Sequence, residues 1–148
     1  MPAMRTLLLT LLIAAAMPSH AGPARAPCAP AISGGWVRLA PGMPMGAGFG
    51  VIRNTCRGPI EITGVHSSDF ADASLHETRI EGGMSRMRAV TSFIVPVGRT
   101  VELRPGGLHL MLMEPRRRVA PGERVRVEFL LRDGRRIAAD LPVRATAP

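Results

Sequence analysis

The sequence of 148 residues carries nineteen basic side chains, all arginine, against eleven acidic ones, for a formal net charge of +8, and has no tyrosine, one tryptophan and four phenylalanines. Stacking of nucleic-acid bases needs aromatic rings interleaved with positive charge, so this composition argues against a nucleic-acid partner. The length accommodates one domain with a real hydrophobic core and no second one.

Residues 1–21 read as an export signal. Met1 to Arg5 is a short positive start, Thr6 to Met17 an apolar run, and Ser19-His20-Ala21 a small-residue exit, so cleavage is expected after Ala21. The apolar run of twelve residues is too short for a stable bilayer anchor and no later run is longer, which predicts a mature form without an integral membrane segment. Residues 22–33, rich in proline and alanine, form an extended lead-in, and residues 34–146 form the domain proper.

The two cysteines, Cys28 and Cys56, enter an oxidising compartment, where thiols that can meet tend to pair. One structural disulfide closing 27 intervening residues is expected, with metal binding by the pair as the lesser alternative. Lipidation of Cys28 is disfavoured locally, because Arg25-Ala26-Pro27 precedes it without the aliphatic residue such a signal normally needs.

Beyond the lead-in the chain reads as short strands separated by turns. Ile60-Glu61-Ile62-Thr63, Val101-Glu102-Leu103-Arg104 and Val125-Arg126-Val127-Glu128-Phe129 alternate apolar and polar residues with the two-residue period of half-buried strands. Pro41-Gly42, Pro105-Gly106-Gly107, Pro121-Gly122 and Asp133-Gly134 punctuate them as turns. Asp133-Gly134 predicts a tight hairpin between residues 125–132 and 135–143. No sustained helical stripe follows residue 21, so the predicted fold is all-β, an antiparallel sandwich or Greek-key barrel of seven to nine strands.

Candidate chemistry lies in Leu108-His109-Leu110-Met111-Leu112-Met113. As a strand, this segment turns its three leucines to one face, the core, and His109, Met111 and Met113 to the other. His109 and Met111 then stand roughly 7 Å apart along the strand, close enough to converge on one ion. His76, in Ser74-Leu75-His76-Glu77, and the methionines Met84 and Met87 gather in a second stretch that an antiparallel fold can bring to the first. Imidazole and thioether donors suit Cu(I) and are poor ligands for magnesium, calcium or manganese, while zinc more often takes thiolate or carboxylate. Four neutral donors also leave a monovalent ion with a net charge of only +1, tolerable near a surface.

His76, Met87, His109 and Met111 follow the spacing H-x10-M-x21-H-x-M, and in this the chain resembles the PCu(A)C family of periplasmic copper chaperones. Gly35-Trp36-Val37-Arg38, Leu75-His76-Glu77-Thr78, Met84-Ser85-Arg86-Met87-Arg88 and Pro105 to Met113 carry the likeness across residues 35–144. The resemblance implies a cupredoxin-like β-barrel, one Cu(I) ion held by His76, Met87, His109 and Met111, and copper supply to the dinuclear centre in subunit II of cytochrome c oxidase. It also implies work beside Sco-type thioredoxin-like proteins. This chain has no C-x3-C of its own, so thiol chemistry would belong to such a partner. A copper-buffering or resistance protein with the same site and no dedicated client is the alternative. An enzyme is disfavoured, because the chain lacks a conspicuous nucleophile and base pair and four ligands leave no open position for substrate.

Several residues near the motif have plainer readings. His66 reads as an ordinary strand histidine, Met84 and Met113 as gap-fillers, and Arg116-Arg117-Arg118 as a solvated face. Met43 and Met45, in the turn Pro41-Gly42-Met43-Pro44-Met45, are either a partly exposed loop or transient donors at the copper mouth. Glu77 either points to solvent or accepts a hydrogen bond from a ligating histidine. Trp36, the largest apolar side chain, is expected to pack in the core.

Overall fold

The computed structural model describes residues 28–147, so the export signal, its cleavage site and residues 22–27 of the lead-in lie outside the described residues. Ten strands follow one another without a helix: β1 (Ala31–Arg38), β2 (Met45–Arg53), β3 (Ile60–Ser67), β4 (Phe70–Glu81), β5 (Met84–Ala89), β6 (Phe93–Val95), β7 (Thr100–Leu103), β8 (Leu108–Pro115), β9 (Arg124–Leu131) and β10 (Arg136–Arg144). The all-β expectation holds, with more strands than the seven to nine read from the sequence. β5 and β6 are the two least marked in sequence. All six residues of β5 are exposed and β6 has only three residues, so neither shows the burial alternation that marks a strand in sequence.

The strands pair in the order β5-β4-β8-β2-β1-β10-β9-β3-β6, with β7 also on β2. All pairings but one are antiparallel. The exception is β1 with β10, where Val37 meets Val143 and joins the β5-β4-β8-β2-β1 layer to the β10-β9-β3-β6 layer. The apolar faces of both layers close on one core: Val37, Ile52, Leu75, Leu110 and Leu112 from the first, and Ile62, Val65, Val125, Val127, Phe129 and Val143 from the second. β9 and β10 form the expected hairpin, Leu130 opposite Arg136 through Leu141 opposite Val125, around Asp133-Gly134.

Two local features set the geometry of the first layer. In β1 the register slips between Ser33 and Trp36, with Gly34 at a φ of 59°, a bulge that carries one extra residue and twists the strand. In β2 the backbone runs close over the core leucine of β8, where a Cβ on Gly48 would come within 2.9 Å of Leu110 Cδ1. β2 and β8 can therefore lie tightly side by side, which brings Ala47 opposite Met111 and Met45 opposite Met113.

The expected disulfide is present between Cys28 and Cys56, whose Cα atoms are 5.7 Å apart. Buried Asn54 organises the loop beside it. Its side-chain amide donates to the carbonyls of Gly58 and Val95, both at 2.9 Å, and its Oδ1 accepts from the Cys56 N–H at 2.8 Å. Within the exposed run Arg116-Arg117-Arg118, Arg117 pairs with Asp69 at 2.8 Å and Glu123 at 3.2 Å, so part of this charge ties loops together.

Candidate metal centre

The four motif residues lie on the outer face of the first layer, on three adjacent strands. Strand alternation sends Leu75, Leu110 and Leu112 into the core, and their neighbours His76, His109 and Met111 emerge on the opposite side. Cross-strand register does the rest. His76 of β4 stands directly opposite His109 of β8, Ser74 opposite Met111, and Thr78 opposite Met87 of β5. Residues facing one another on a sheet have Cβ atoms about 5 Å apart and diagonal neighbours about 7 Å, so the four side chains rise from one small patch.

Within the patch His109 is the fixed element, only 6% exposed. Its Nδ1 lies 2.8 Å from the carbonyl oxygen of Gly107, which can only accept, so Nδ1 carries the proton and Nε2 presents its lone pair. That Nε2 is 3.3 Å from the sulfur of Met87. The His76 and His109 rings face each other at 6.2 Å between centroids, with the Ser74 hydroxyl 3.1 Å from His76 Nε2. Burial holds the His76 imidazole below its ordinary value, helped by the nearby His109 and opposed by Asp72, so the neutral, metal-competent form is favoured.

Beside the patch opens a cleft of about 410 Å³, walled by Met87, His109 and Met111 together with Met43, Met45 and Phe49. His76 does not line it and sits on the β4 side of His109. Trp36 is buried, but not in the core cluster as expected: it lies on this outer face, its ring packing on Phe49 at 4.8 Å with Arg144 above it. Phe49 in turn stands 6.5 Å from the His109 ring and backs it.

Other expectations resolve plainly. Glu77 does not reach a histidine, since adjacent residues of a strand face opposite sides, and its carboxylate pairs with Arg79 at 2.7 Å. The partner of the His109 ring is the Gly107 carbonyl, a backbone atom that no residue-type signal announces. His66 is exposed on β3, Met84 is exposed beside the β4–β5 turn, and Met113 is half-buried next to Met45. Ser74 and Phe49 went unremarked in the sequence. Counting two residues back from His76 along the strand identifies Ser74, whereas Phe49 is found only through β2–β8 pairing. Among the described residues no three His, Cys, Asp or Glu side chains gather to hold a metal ion.

A family model described as "Putative lipoprotein LpqE-like" matches residues 31–143. The chain is 35% identical over 114 residues to "Putative lipoprotein Lxx21020" of Leifsonia xyli subsp. xyli (strain CTCB07), covering 76% of this chain and 68% of that protein. Among solved structures it is similar to the Cu(I) form of DR1885 from Deinococcus radiodurans, at 27% identity and a TM-score of 0.61, covering 76% of each chain. It is also similar to the copper-bound PCuAC domain from PmoF2, at 20% identity and a TM-score of 0.63, covering 78% of this chain and 92% of that one. The fold is thus the cupredoxin-like PCuAC fold that the sequence resemblance implies.

Proposed function

The chain belongs to the LpqE-like family, and from that premise we propose that it is an exported metallochaperone that carries one Cu(I) ion between His76, Met87, His109 and Met111. The supporting observation is the approach of two unlike donors, His109 Nε2 and Met87 Sδ, at 3.3 Å. First-row metals bind imidazole nitrogen and sulfur at about 2.0–2.3 Å, so two donors sharing a tetrahedral ion stand roughly 3.5 Å apart. This pair needs little rearrangement to share an ion. The copper-bound state of two relatives of the same fold supports the choice of ion, as does the softness of the donor set.

The differing exposure of the donors gives the patch a mechanism. His109, buried, backed by Phe49 and hydrogen-bonded through Nδ1, is the anchor. Met87, 53% exposed on a strand that pairs only with β4, is the donor an incoming ligand reaches first. Release proceeds by exchange: a partner's donor replaces the Met87 thioether, then the remaining ligands follow, with no change in copper oxidation state. No covalent chemistry at the protein is involved.

Proton competition gives a first expected outcome. Only neutral imidazole binds the ion, and the His76 value is lowered from its ordinary 6.5, so Cu(I) affinity should stay level down to about that pH and fall on further acidification. A competition titration with a Cu(I) chelator between about pH 5 and 8 measures this. A response flat to pH 5 would remove histidine from the ligand set.

Delivery to the dinuclear copper centre of cytochrome c oxidase subunit II, beside a Sco-type protein in the periplasm, is the cellular role we assign. Deleting the gene should lower oxidase activity and added copper should restore it. Copper sensitivity with normal respiration would point instead to buffering without a client.

A further inference from the structure

We propose that Met43, Met45 and Met113 form a second, weaker site for a soft monovalent cation beside the cleft, through which Cu(I) is taken up toward the inner four-ligand site. This rests on the reading of the inner site as a Cu(I) site. Met43 and Met45 are 50% and 48% exposed, and both line the cleft that Met87, His109 and Met111 also line. A single exposed methionine is unremarkable, since much protein surface is apolar. Here two from one three-residue stretch turn into the same opening, giving up burial that each could otherwise gain.

The backbone holds them there. Gly42, at a φ of 76°, makes the turn, and the Met43 N–H donates to the Ala40 carbonyl at 3.2 Å. The Glu114 N–H donates to the Pro44 carbonyl at 2.8 Å, fastening the stretch to β8 immediately after Met113. Glu114 is the one non-glycine residue with positive φ among the described residues, at 55°, a conformation that costs roughly 1–2 kcal/mol and persists where the surroundings enforce it. Met45 is directly opposite Met113, at the spacing of about 5 Å between facing Cβ atoms.

Met113 also lies two residues beyond Met111 on the same face, about 7 Å along β8. Met43 and Met45 thus line the cleft together with Met111 and His109, and Met113 stands across from Met45 beside the cleft wall. Three uncharged sulfurs reject hard cations and accept Cu(I). Lacking imidazole, the outer site holds the ion independently of pH. Each transfer step exchanges one thioether for another, so copper advances without changing oxidation state.

The test is a titration of protein carrying 13C-methyl methionine with Ag(I), a redox-inert soft monovalent ion, followed by NMR. The Met87 and Met111 methyls should shift with the first equivalent and those of Met43, Met45 and Met113 with the second, while Met84, outside the cleft, stays still. In a Met43→Ala/Met45→Ala variant, whose changes fall at exposed positions, the second step should weaken by roughly tenfold or more and the first-equivalent shifts at Met87 and Met111 should remain. If Met43, Met45 and Met113 stay unmoved through two equivalents while Met87 and Met111 respond, the outer site is refuted and the inner one stands. If the variant loses the first step as well, the methionines belong to one enlarged site and the separate outer site is refuted. If Met87 and Met111 do not respond at all, both readings fall together.

Discussion

Replacing His109 with alanine should weaken Cu(I) binding by roughly a hundredfold or more, since even loss of a supporting group around a metal costs about 10- to 100-fold and His109 is the proposed ligand that other residues hold in place. Its Nδ1 is committed to the Gly107 carbonyl and its ring is backed by Phe49, so neither water nor a neighbouring side chain can take up the vacated Nε2 position with the same order. The ring is also buried, so the truncation should lower fold stability by about 1–3 kcal/mol. Met111→Ala separates the two effects. Its side chain stands on the outer face, away from the core leucines on either side of it, so affinity should fall about tenfold or more with the unfolding transition nearly unchanged. Chelator competition and denaturant titration on the same samples distinguish them. An unfolded Met111→Ala protein would make that methionine a packing residue.

Converting Cys28 and Cys56 together to serine should cost about 3–4 kcal/mol of stability, the loop-entropy scale for a separation of 28 residues. The bond ties the chain just ahead of β1 to the loop after β2, where Asn54 already spends its hydrogen bonds on Val95, Gly58 and Cys56. β1 and β2 pair from Ala31 opposite Arg53, near the disulfide, to Arg38 opposite Ala47, which neighbours Met111 in the proposed site. At about 3.3 Å per residue those ends are roughly 20 Å apart. Cu(I) affinity of the still-folded variant should therefore match that of the parent, while the midpoint of denaturation drops. A large affinity loss in the folded variant would mean that the two ends are mechanically coupled.

Strand content and the shared face of His109, Met111 and Met113 were legible in the sequence for the same reason: both depend on alternation. Leu108 to Met113 reads as two faces because burial and solvent impose a period of two, and the fold keeps the leucines on the core side and His109, Met111 and Met113 on the other. β5 was illegible because it is an edge strand with both faces in solvent, so nothing imposes a pattern on Met84 to Ala89. The side of the layer taken by Trp36 was likewise hidden. Its size argues for burial, but the extra residue of the Gly34 bulge and pairing with Phe49 decide that it is buried on the outer face behind the histidines. The Glu77 alternative fails on a rule visible in the sequence, since a strand neighbour of His76 points away from it. The Gly107 carbonyl, by contrast, could not be read from residue types, because the group that fixes His109 is backbone.

X-ray absorption on protein loaded with one equivalent of Cu(I) tests the central claim most directly, because it counts donors by element around the metal. The expected shell has two nitrogens and two sulfurs, with one sulfur lost in Met87→Ala. A shell of nitrogen and oxygen alone, or one unchanged by removing Met87, would contradict a shared imidazole and thioether site on the outer face of the sheet.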